Sequence, residues 1–364
     1  MKYDYLIVGA GLYGSVFSQQ CKDMGLSVLV IDKRNHVGGN CYSENIDGIH
    51  VHKYGPHIFH TSNIDVWKYF NTFCETEFYS HVVAANYKNE IYSLPFNMFT
   101  FSKMWNITSP EEASEKINSQ RFTGRPTNLE ETALSIVGED IYRKFIYGYT
   151  KKQWKKEPKE LPSFIIKRLP FRLTYNPNYF NDPYQAMPKH GYGQIFNNLL
   201  DGIPVELGSD FLKKRAYWES KAKKIIFTGP IDAYYDYEYG ELEYRSLTFS
   251  EEKKEINNYQ GVSIINYTDE NVPYTRVVEH KHFNNSCKNR DSTVITFEYP
   301  TNYDKKTNTP YYPVNTTINN ELYKKYASLH NSKVYFGGRL GKYRYVDMDQ
   351  TIAMALNDFK KVTR

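Results

Sequence analysis

A glycine-rich turn near the start of the chain constrains its fold more than any other feature. The segment Gly9-Ala10-Gly11-Leu12-Tyr13-Gly14 follows a mainly apolar run at residues 3–8, which predicts a β-strand. It precedes a segment that predicts a helix ending before Gly25, and a second apolar run follows at residues 27–31. The order of strand, glycine turn, helix and strand predicts a βαβ unit with parallel strands.

The same segment indicates what this unit binds. Glycines at the first two positions allow the backbone to approach a pyrophosphate, the third allows close helix packing, and the helix N-terminus supplies amide donors. Asp32 ends the second strand about 20 residues further on, where a carboxylate accepts a hydrogen bond from a ribose hydroxyl. We therefore predict a dinucleotide site that includes Gly9, Gly11, Leu12, Gly14, Asp32 and Lys33.

Two further glycine turns favour FAD over NAD. The pair Gly38-Gly39 with Asn40 follows the acid, as in the FAD-binding amine-oxidase-like flavoproteins that this segment resembles, although a glycine pair is also compatible with an ordinary turn. Near the C-terminus, Gly337-Gly338-Arg339 leads to Asp347 and a predicted helix near residues 351–359. That arrangement places amide groups and partial positive charge beside the pyrimidine end of a flavin.

Composition argues against several other classes of protein. A mean hydropathy of −0.65 and the lack of a long apolar run argue against a membrane span. The net charge of +5 is small for 364 residues, and the basic residues are dispersed, which disfavours a nucleic-acid surface but suits an anionic small substrate. The four cysteines form no C-x-x-C pair, and the N-terminal segment is not typical of a signal peptide. We expect a cytoplasmic enzyme.

The remainder of the chain predicts two more substructures. Ser109-Pro110-Glu111-Glu112 is typical of a helix start, and helical patterns continue to about Tyr147. Residues 224–228, 244–249, 261–267, 275–283 and 293–299 are β-rich and predict a mostly antiparallel sheet. The prediction is an α/β protein with a discontinuous Rossmann-like FAD-binding domain at 1–80, 190–235 and 330–364, a helical domain at 96–160, and an antiparallel sheet domain at 81–95, 161–189 and 236–329.

The chain also contains several aromatic and basic motifs that a generic flavoprotein does not require. They are Tyr54-Gly55-Pro56-His57-Ile58-Phe59-His60-Thr61, Gly148-Tyr149-Thr150-Lys151-Lys152-Gln153-Trp154, Pro273-Tyr274-Thr275-Arg276, Pro310-Tyr311-Tyr312-Pro313-Val314 and Tyr343-Arg344-Tyr345. Together they resemble the bacterial UDP-galactopyranose mutases from residue 3 to about residue 359. The resemblance implies an isomerase, active with reduced FAD, that interconverts UDP-galactopyranose and UDP-galactofuranose through a covalent adduct between flavin N5 and the sugar. It also implies a mobile lid near residues 154–175, and a homodimer that serves cell-surface polysaccharide synthesis.

The resemblance assigns roles to individual residues. Arg168 and Arg276 match the arginines that bind the diphosphate, as guanidinium groups do through paired hydrogen bonds. The other implied catalytic residues are His60, in a histidine loop near the flavin ring, and Tyr345 and Asp347, near the sugar, although Asp347 could instead cap the last helix. The implied substrate contacts are Tyr149 on uracil, Trp154 near the lid, the phosphate-binding Tyr179, Tyr311 and Tyr345, and Asn266. The cofactor contacts extend to Gly39, Asn40, His57, Ile58, Gly338, Arg339, Val346, Asp347 and Met348.

Alternatives to this interpretation remain open. His57-x-x-His60 and His280-x-His282 could supply four metal ligands, a reading that flavin chemistry does not require. The first forty residues also suit an amine-oxidase-like oxidoreductase, and Asp347-Met348-Asp349 suits a metal-dependent glycosyltransferase. A non-catalytic nucleotide-sugar sensor is a further option. Within the mutases, relatives that act on UDP-N-acetylgalactosamine are expected to carry an arginine near the position of His60, so His60 favours galactose.

Overall fold

The computed structural model describes the backbone of residues 2–168 and 171–363. Both strands and helices occur throughout this part of the chain. The strands are β1 (Tyr3–Val8), β2 (Val28–Ile31), β3 (Ser43–Ile46), β4 (Ile49–His52), β5 (Phe59–Thr61), β6 (Thr76–Phe78), β7 (Val83–Tyr87), β8 (Glu90–Leu94), β9 (Tyr184–Pro188), β10 (Val205–Glu206), β11 (Ala222–Phe227), β12 (Tyr244–Lys254), β13 (Ile264–Tyr267), β14 (Arg276–Glu279), β15 (Thr293–Asn302), β16 (Tyr312–Pro313) and β17 (Val334–Phe336).

The helices are distributed over the whole length of the chain. They are α1 (Leu12–Asp23), α2 (Ile64–Phe73), α3 (Met98–Trp105), α4 (Pro110–Asn118), α5 (Leu129–Ile141), α6 (Gly148–Trp154), α7 (Tyr192–Leu199), α8 (Arg215–Lys221), α9 (Ile231–Tyr234), α10 (Thr317–Ala327), α11 (Gly338–Gly341) and α12 (Met348–Val362). A π-helix covers Tyr142–Tyr147, and 3₁₀-helices cover Gly39–Cys41, Pro158–Glu160, Ser163–Arg168, Leu212–Lys214, His280–Phe283 and Asn285–Cys287. Among the described residues, no helix is both long enough and apolar enough to cross a bilayer.

The chain divides into two compact units, and the first contains the predicted βαβ unit. Unit one runs to Phe78, continues through Asp182–Tyr244 and resumes at Tyr312. Its main sheet has the order β10-β2-β1-β11-β17 with all neighbours parallel, and α1 connects β1 to β2. Buried side chains such as Leu6, Ile31 and Ile225 form its core. The Rossmann-like prediction is therefore confirmed.

One strand was assigned to the wrong sheet. We grouped residues 224–228 with the antiparallel segments by their pattern, although the predicted FAD-binding domain at 190–235 included them; β11 pairs in parallel with β1 and β17 in unit one. The end of this strand, Ile225-Ile226-Phe227, is buried at three consecutive residues. A continuous apolar run of this kind is typical of a parallel strand covered on both faces, whereas half-buried antiparallel strands alternate.

Unit two, Tyr79–Asn181 and Arg245–Tyr311, contains the predicted antiparallel sheet. Six strands follow the order β12-β15-β14-β13-β7-β8, and only the β13–β7 pair within that order is parallel. Helices α3 to α6 belong to the same unit. The predicted helix start is confirmed, because Ser109 caps α4 and exchanges hydrogen bonds with Glu112 in a capping box. The finer division into helical and sheet domains stays a prediction.

The segment 275–283 is only partly a strand. Strand β14 ends at Glu279, and a 3₁₀-helix follows over His280–Phe283. His280 and Lys281 are both buried, with the Lys281 ammonium donating to the carbonyl oxygens of Asn257 and Arg290. The chain therefore changes from strand to helical turn after Glu279 without leaving the core of this unit.

Candidate functional site

In unit one, the glycine loop has the close packing that a bound pyrophosphate requires. A Cβ atom on Gly14 would lie 1.9 Å from the carbonyl oxygen of Gly9, so helix α1 packs against the loop only with glycine here. Gly39 has φ +55°, and its Cβ would lie 2.9 Å from the Cα of Gly11, so the two glycine turns touch backbone to backbone. Among the described residues, no side chain caps the amides at the N-terminus of α1, and its first turn contains no acid. These features suit a dinucleotide phosphate.

Asp32 fixes the same loop. Its Oδ2 accepts from the backbone amide of Ala10 at 2.8 Å, and its Oδ1 accepts from the amide of Arg34 at 2.8 Å. An ionised carboxylate has further lone pairs, so these contacts leave room for the predicted ribose contact. Arg34 lies 4.2 Å from the ring centre of Tyr54 and donates to Asn40 Oδ1 at 3.0 Å, which holds the predicted contact Asn40 in place. Lys33 is exposed.

The histidine loop and the C-terminal glycine turn converge in this unit. Burial lowers the pKa of His57 to about 4, a hydrogen bond to the Gly55 carbonyl opposes this, and the positive charge of Arg339 lowers it further. His57 is therefore neutral at pH 7. Arg339 also acts on the Cys41 thiol, whose pKa is raised mainly by burial. The predicted cofactor residue His57, and Cys41 directly after the predicted Asn40, thus lie close enough to Arg339 for its charge to act on them.

Acidic side chains hold strand β5 and the residues that follow it. His60 Nδ1 lies 2.7 Å from Asp182 Oδ2, and Ser62 donates to the other oxygen of the same carboxylate. Thr61 donates to Asp349 Oδ2 at 3.0 Å, in the first turn of α12. The predicted residue His60 is therefore oriented by Asp182, which the sequence analysis did not identify.

The N-terminus of α12 carries the last predicted residues of unit one. Asp347 is the N-cap residue of this helix, as the alternative interpretation allowed, and its backbone amide donates to Gln350 Oε1 at 3.2 Å. The neighbours Val346 and Met348 are half-buried. Tyr345 is 43% exposed, and its ring centre lies 5.7 Å from that of Tyr312. An exposed tyrosine at this point can contact a ligand without losing a core contact.

In unit two, Arg276 is the centre of a cluster of polar side chains. Its Nη2 donates to the Tyr149 hydroxyl at 3.0 Å, and its Nε lies 3.2 Å from Glu298 Oε1. Asn266 and Glu298 are the direct cross-strand neighbours of Arg276 on β13 and β15, so the three side chains share one face of the sheet. The buried Asn266 Oδ1 has no hydrogen-bond partner among the residues that the structure describes. An unsatisfied acceptor beside an arginine fits a site for a polar ligand.

A buried lysine anchors the helix that carries Tyr149. Lys152 on α6 donates through Nζ to the carbonyl oxygens of Tyr267 at 2.7 Å and Tyr274 at 3.0 Å. Burial lowers its pKa to about 8. These bonds fix α6 against the chain on either side of the turn between β13 and β14, and so bring Tyr149 to Arg276.

The other predicted residues of unit two are held by different contacts. Tyr179 packs against His81, with ring centres 5.4 Å apart. Tyr311 is 5% exposed and donates its amide to the Arg245 carbonyl at 2.9 Å. Trp154 ends α6 and is half-buried. The side chain of Arg168 lies outside the described residues, as do residues 169 and 170 of the predicted lid.

Two further residues of unit two were missed. Glu298, 1% exposed, is the only charged residue of β15, and a lone acid in an apolar strand is a signal that a buried cation faces it. Arg245 is 5% exposed, donates to the Gln153 carbonyl at 3.2 Å and contacts Asn302 Oδ1. It stands at the start of a predicted strand with nothing in the sequence to mark it as buried.

The metal interpretation finds no support in the described part of the chain, which contains no cluster of three or more potential ligands. Of the four histidines considered, His280 contacts Thr296 Oγ1 at 2.8 Å and His282 contacts Glu279 Oε2 at 3.1 Å. The side chains of His280 and His282 are therefore explained by ordinary polar contacts within unit two.

The parallel sheet, together with a glycine loop whose packing suits a dinucleotide, places this chain in the class of proteins with a Rossmann-like nucleotide-binding domain. The family model "NAD(P)-binding Rossmann-like domain" matches residues 7–73, and the family model "UDP-galactopyranose mutase" matches residues 144–345. The chain belongs to the UDP-galactopyranose mutase family, and it is therefore an isomerase by family.

Curated relatives cover nearly the whole chain. A dTDP-fucopyranose mutase of Escherichia coli is 41% identical over 363 residues, covering 96% of each chain. A probable UDP-galactopyranose mutase of Klebsiella pneumoniae is also 41% identical, over 360 residues, covering 96% of this chain and 92% of the relative. The mutase of Mycoplasma pneumoniae is 31% identical over 382 residues, covering 98% and 95%. The similarity therefore spans both units.

Solved structures show the same fold. A reduced UDP-galactopyranose mutase matches with a TM-score of 0.76 at 15% identity, covering 100% of this chain and 94% of that one. Putrescine oxidase bound to putrescine matches with a TM-score of 0.59 at 13% identity, covering 100% and 99%. At these identities the matches show the fold alone. The resemblance of the first forty residues to amine-oxidase-like proteins is therefore explained by a shared fold.

Proposed function

We propose that this protein interconverts UDP-galactopyranose and UDP-galactofuranose with reduced FAD as cofactor. The observation that carries the proposal is the cluster around Arg276, a cation held by Glu298 and Tyr149. It lies beside Asn266 Oδ1, which has no hydrogen-bond partner within the described part of the chain. This arrangement suits a nucleotide diphosphate, because a guanidinium matches phosphate oxygens and a neighbouring amide can take a hydrogen bond from the nucleoside.

The glycine loops of unit one fit FAD as the dinucleotide. The touching backbones at Gly11 and Gly39, together with the uncapped amides of α1, suit its pyrophosphate. The neutral His57 and the cationic Arg339 suit the flavin end, where positive charge favours the anionic reduced ring. When bound, reduced FAD supplies a nucleophilic nitrogen, N5, for the anomeric carbon of the sugar.

The chain's own residues hold the leaving group and the sugar. Ring contraction breaks the bond from C1 to O5 and forms one from C1 to O4, while the C1–UDP bond breaks and forms again, so no electrons are transferred overall. Negative charge develops on the departing diphosphate, and we assign its stabilisation to Arg276 and Arg168, with Tyr179, Tyr311 and Tyr345 as further donors. Tyr149 is assigned to the base, and His60 and Asp347 to the sugar.

A second substrate is favoured by a specific observation. The E. coli dTDP-fucopyranose mutase is as similar to this chain, at 41%, as the Klebsiella relative. Compared with UDP-galactose, the dTDP-linked 6-deoxy sugar carries an additional methyl group on its base, and it lacks one ribose hydroxyl and one sugar hydroxyl. The N-acetylated galactose nucleotide is a third option, which the proposed sugar-side role of His60 disfavours.

The decisive test is a direct assay of the isomerisation. FAD-loaded protein, reduced with dithionite, is given UDP-galactofuranose, dTDP-fucofuranose or UDP-N-acetylgalactofuranosamine, and the products are separated by chromatography. We expect conversion of UDP-galactofuranose to its pyranose form, and none with the oxidised protein. A higher kcat/KM for the dTDP sugar would replace the proposed substrate with the second one. Failure with all three by reduced, flavin-loaded protein would disprove the proposal.

The rival activities have their own signatures in the same samples. Oxygen uptake with an amine would support an oxidoreductase, and a requirement for added manganese would support a glycosyltransferase. Two finer points of the proposal, a cytoplasmic homodimer and a role in cell-surface polysaccharide synthesis, depend on the family resemblance. Sedimentation analysis of the purified protein tests the first of them.

A further inference from the structure

A buried carboxylate outside the predicted cofactor contacts joins the segments that carry them. Asp358 lies near the end of α12, and its side chain is 3% exposed. The Tyr13 hydroxyl donates to its Oδ2 at 2.8 Å, and the Tyr335 hydroxyl donates to its Oδ1 at 2.9 Å. Lys342 Nζ lies 2.6 Å from the same Oδ2 and also donates to the Tyr335 hydroxyl at 3.2 Å. One carboxylate thus bonds three other segments of unit one.

Each partner belongs to, or flanks, a segment assigned to FAD. Tyr13 is a member of the Gly9–Gly14 loop, at the start of α1. Tyr335 lies on β17, just before Gly337, and Lys342 directly follows α11. The C-terminal glycine turn is therefore held on both sides by the same acid that holds the phosphate loop.

The ring of Tyr13 sets the distance between the Gly9–Gly14 loop and the C-terminal glycine turn. A Cβ atom on Gly337 would lie 2.3–2.4 Å from atoms of that ring, so the turn rests directly on the tyrosine. Burial raises the pKa of Tyr13, and the negative charge of Asp358 raises it further, so the hydroxyl keeps its proton and donates. The position of the ring follows from that bond and from its packing against Phe17, which in turn packs on Phe359.

We infer that Asp358 is a positioning residue for the cofactor, holding the Gly9–Gly14 loop and the Gly337–Gly341 turn in the register that the two ends of FAD require. The inference rests on the proposed function, because it takes FAD as the ligand. Helix α12 extends the effect, since its 15 residues form a rod of about 22 Å whose other end carries Val346, Asp347 and Met348. The three sets of assigned contacts are thus fixed through one carboxyl group.

The test measures FAD affinity rather than turnover. Apo protein is titrated with FAD, and binding is followed by quenching of flavin fluorescence. Asp358→Asn keeps the shape of the side chain but removes its charge, and we expect the Kd for FAD to rise about tenfold; Tyr13→Phe removes one hydroxyl, and we expect a rise of about fivefold. The cause is that unanchored segments adopt the binding geometry for only a fraction of the time, which weakens apparent affinity by that fraction.

Tyr326→Phe is the matched control. Tyr326 is fully buried in unit one, and its hydroxyl donates to the Gly240 carbonyl at 2.6 Å, but it contacts no residue assigned to FAD in the described structure. We expect a loss of apo-protein stability in urea comparable to that of Tyr13→Phe, with the Kd for FAD changed less than about twofold.

The outcomes separate this inference from the proposed function. Wild-type affinity in both Asp358→Asn and Tyr13→Phe would overturn the inference, as would an equal loss of affinity in Tyr326→Phe. Should Asp358→Asn fail to fold, the pair Tyr13→Phe and Tyr326→Phe decides. A wild-type apo protein that takes up no FAD would contradict the proposed function itself, and this inference with it.

Discussion

The site assigned to FAD in unit one and the nucleotide-sugar site assigned in unit two are built from different parts of the chain. The first is largely backbone, formed by glycines that pack within a few ångströms of one another. The second is formed by side chains from α6, β13, β14 and β15, which meet at Arg276. A backbone site is sensitive to any added atom, whereas a side-chain site is sensitive to the loss of particular charges and hydroxyls.

Gly14→Ala is the sharpest test of the backbone site. The new Cβ would lie 1.9 Å from the Gly9 carbonyl oxygen, so the loop must move, and we expect a loss of about 3 kcal/mol or more in the free energy of unfolding. Urea unfolding and flavin content of the purified protein measure the effect. Gly193→Ala is the control, because a Cβ there meets nothing within 4 Å and the residue lies inside α7. That change should stabilise by up to about 1 kcal/mol; equal destabilisation by both would contradict the packing argument.

For the side-chain site, the expected effect of Arg276→Ala is the opposite one, on turnover and not on flavin content. We expect flavin content to stay at the wild-type level while turnover falls by roughly 150-fold, about 3 kcal/mol, because the diphosphate loses the cation that stabilises its developing charge. Steady-state kinetics with UDP-galactofuranose and the flavin absorbance of the same sample give the two numbers. Near-normal turnover would reject the assigned role, and loss of flavin would remove the distinction between the two sites.

The difference in construction explains what the sequence could predict. The glycine loop, α1, β2 and Asp32 are close in the chain, so spacing alone predicts their arrangement, and the structure has the predicted βαβ unit. The strand at 224–228 was assigned to the wrong sheet because a parallel neighbour leaves no local turn signal. Sheet membership depends on pairing with residues that are distant in sequence.

The side-chain cluster required more than spacing. Tyr149, Asn266 and Arg276 were named through the family resemblance, and no local pattern predicts that Tyr149 bonds Arg276. Glu298 was missed although its isolation in an apolar strand marked it, and Asp182 was missed because its pairing with His60 joins residues far apart in sequence. Contacts of this kind are set by tertiary packing, which a single sequence does not specify.

Lys152 links the side-chain site to the pH dependence of stability. Its pKa of about 8 is lower than that of an unfolded lysine, so between pH 8 and about 10.5 the unfolded chain binds the extra proton and raising the pH favours folding. We expect this group to add about 2 kcal/mol to the free energy of unfolding between pH 7.5 and 9.5. Urea unfolding of the wild type and of Lys152→Met across that range measures it. The contribution should be missing from Lys152→Met, and parallel pH profiles would contradict the role of the buried ammonium.

Tyr149→Phe is expected to have the smallest effect, and it tests a single hydrogen bond of the Arg276 cluster. The ring that is assigned to stack on uracil remains, but Arg276 Nη2 loses its 3.0 Å contact with the hydroxyl and with it one constraint on the guanidinium. We expect kcat for UDP-galactofuranose to fall about fivefold, near 1 kcal/mol, with KM changed less than about twofold. Tyr147→Phe is the control, because its hydroxyl bonds to Glu157 and Lys151 and not to an assigned substrate residue. An equal fall in that variant would assign the effect to the helical segment, whereas a rise in KM alone would mean that the hydroxyl serves binding of the nucleotide and not orientation of the arginine.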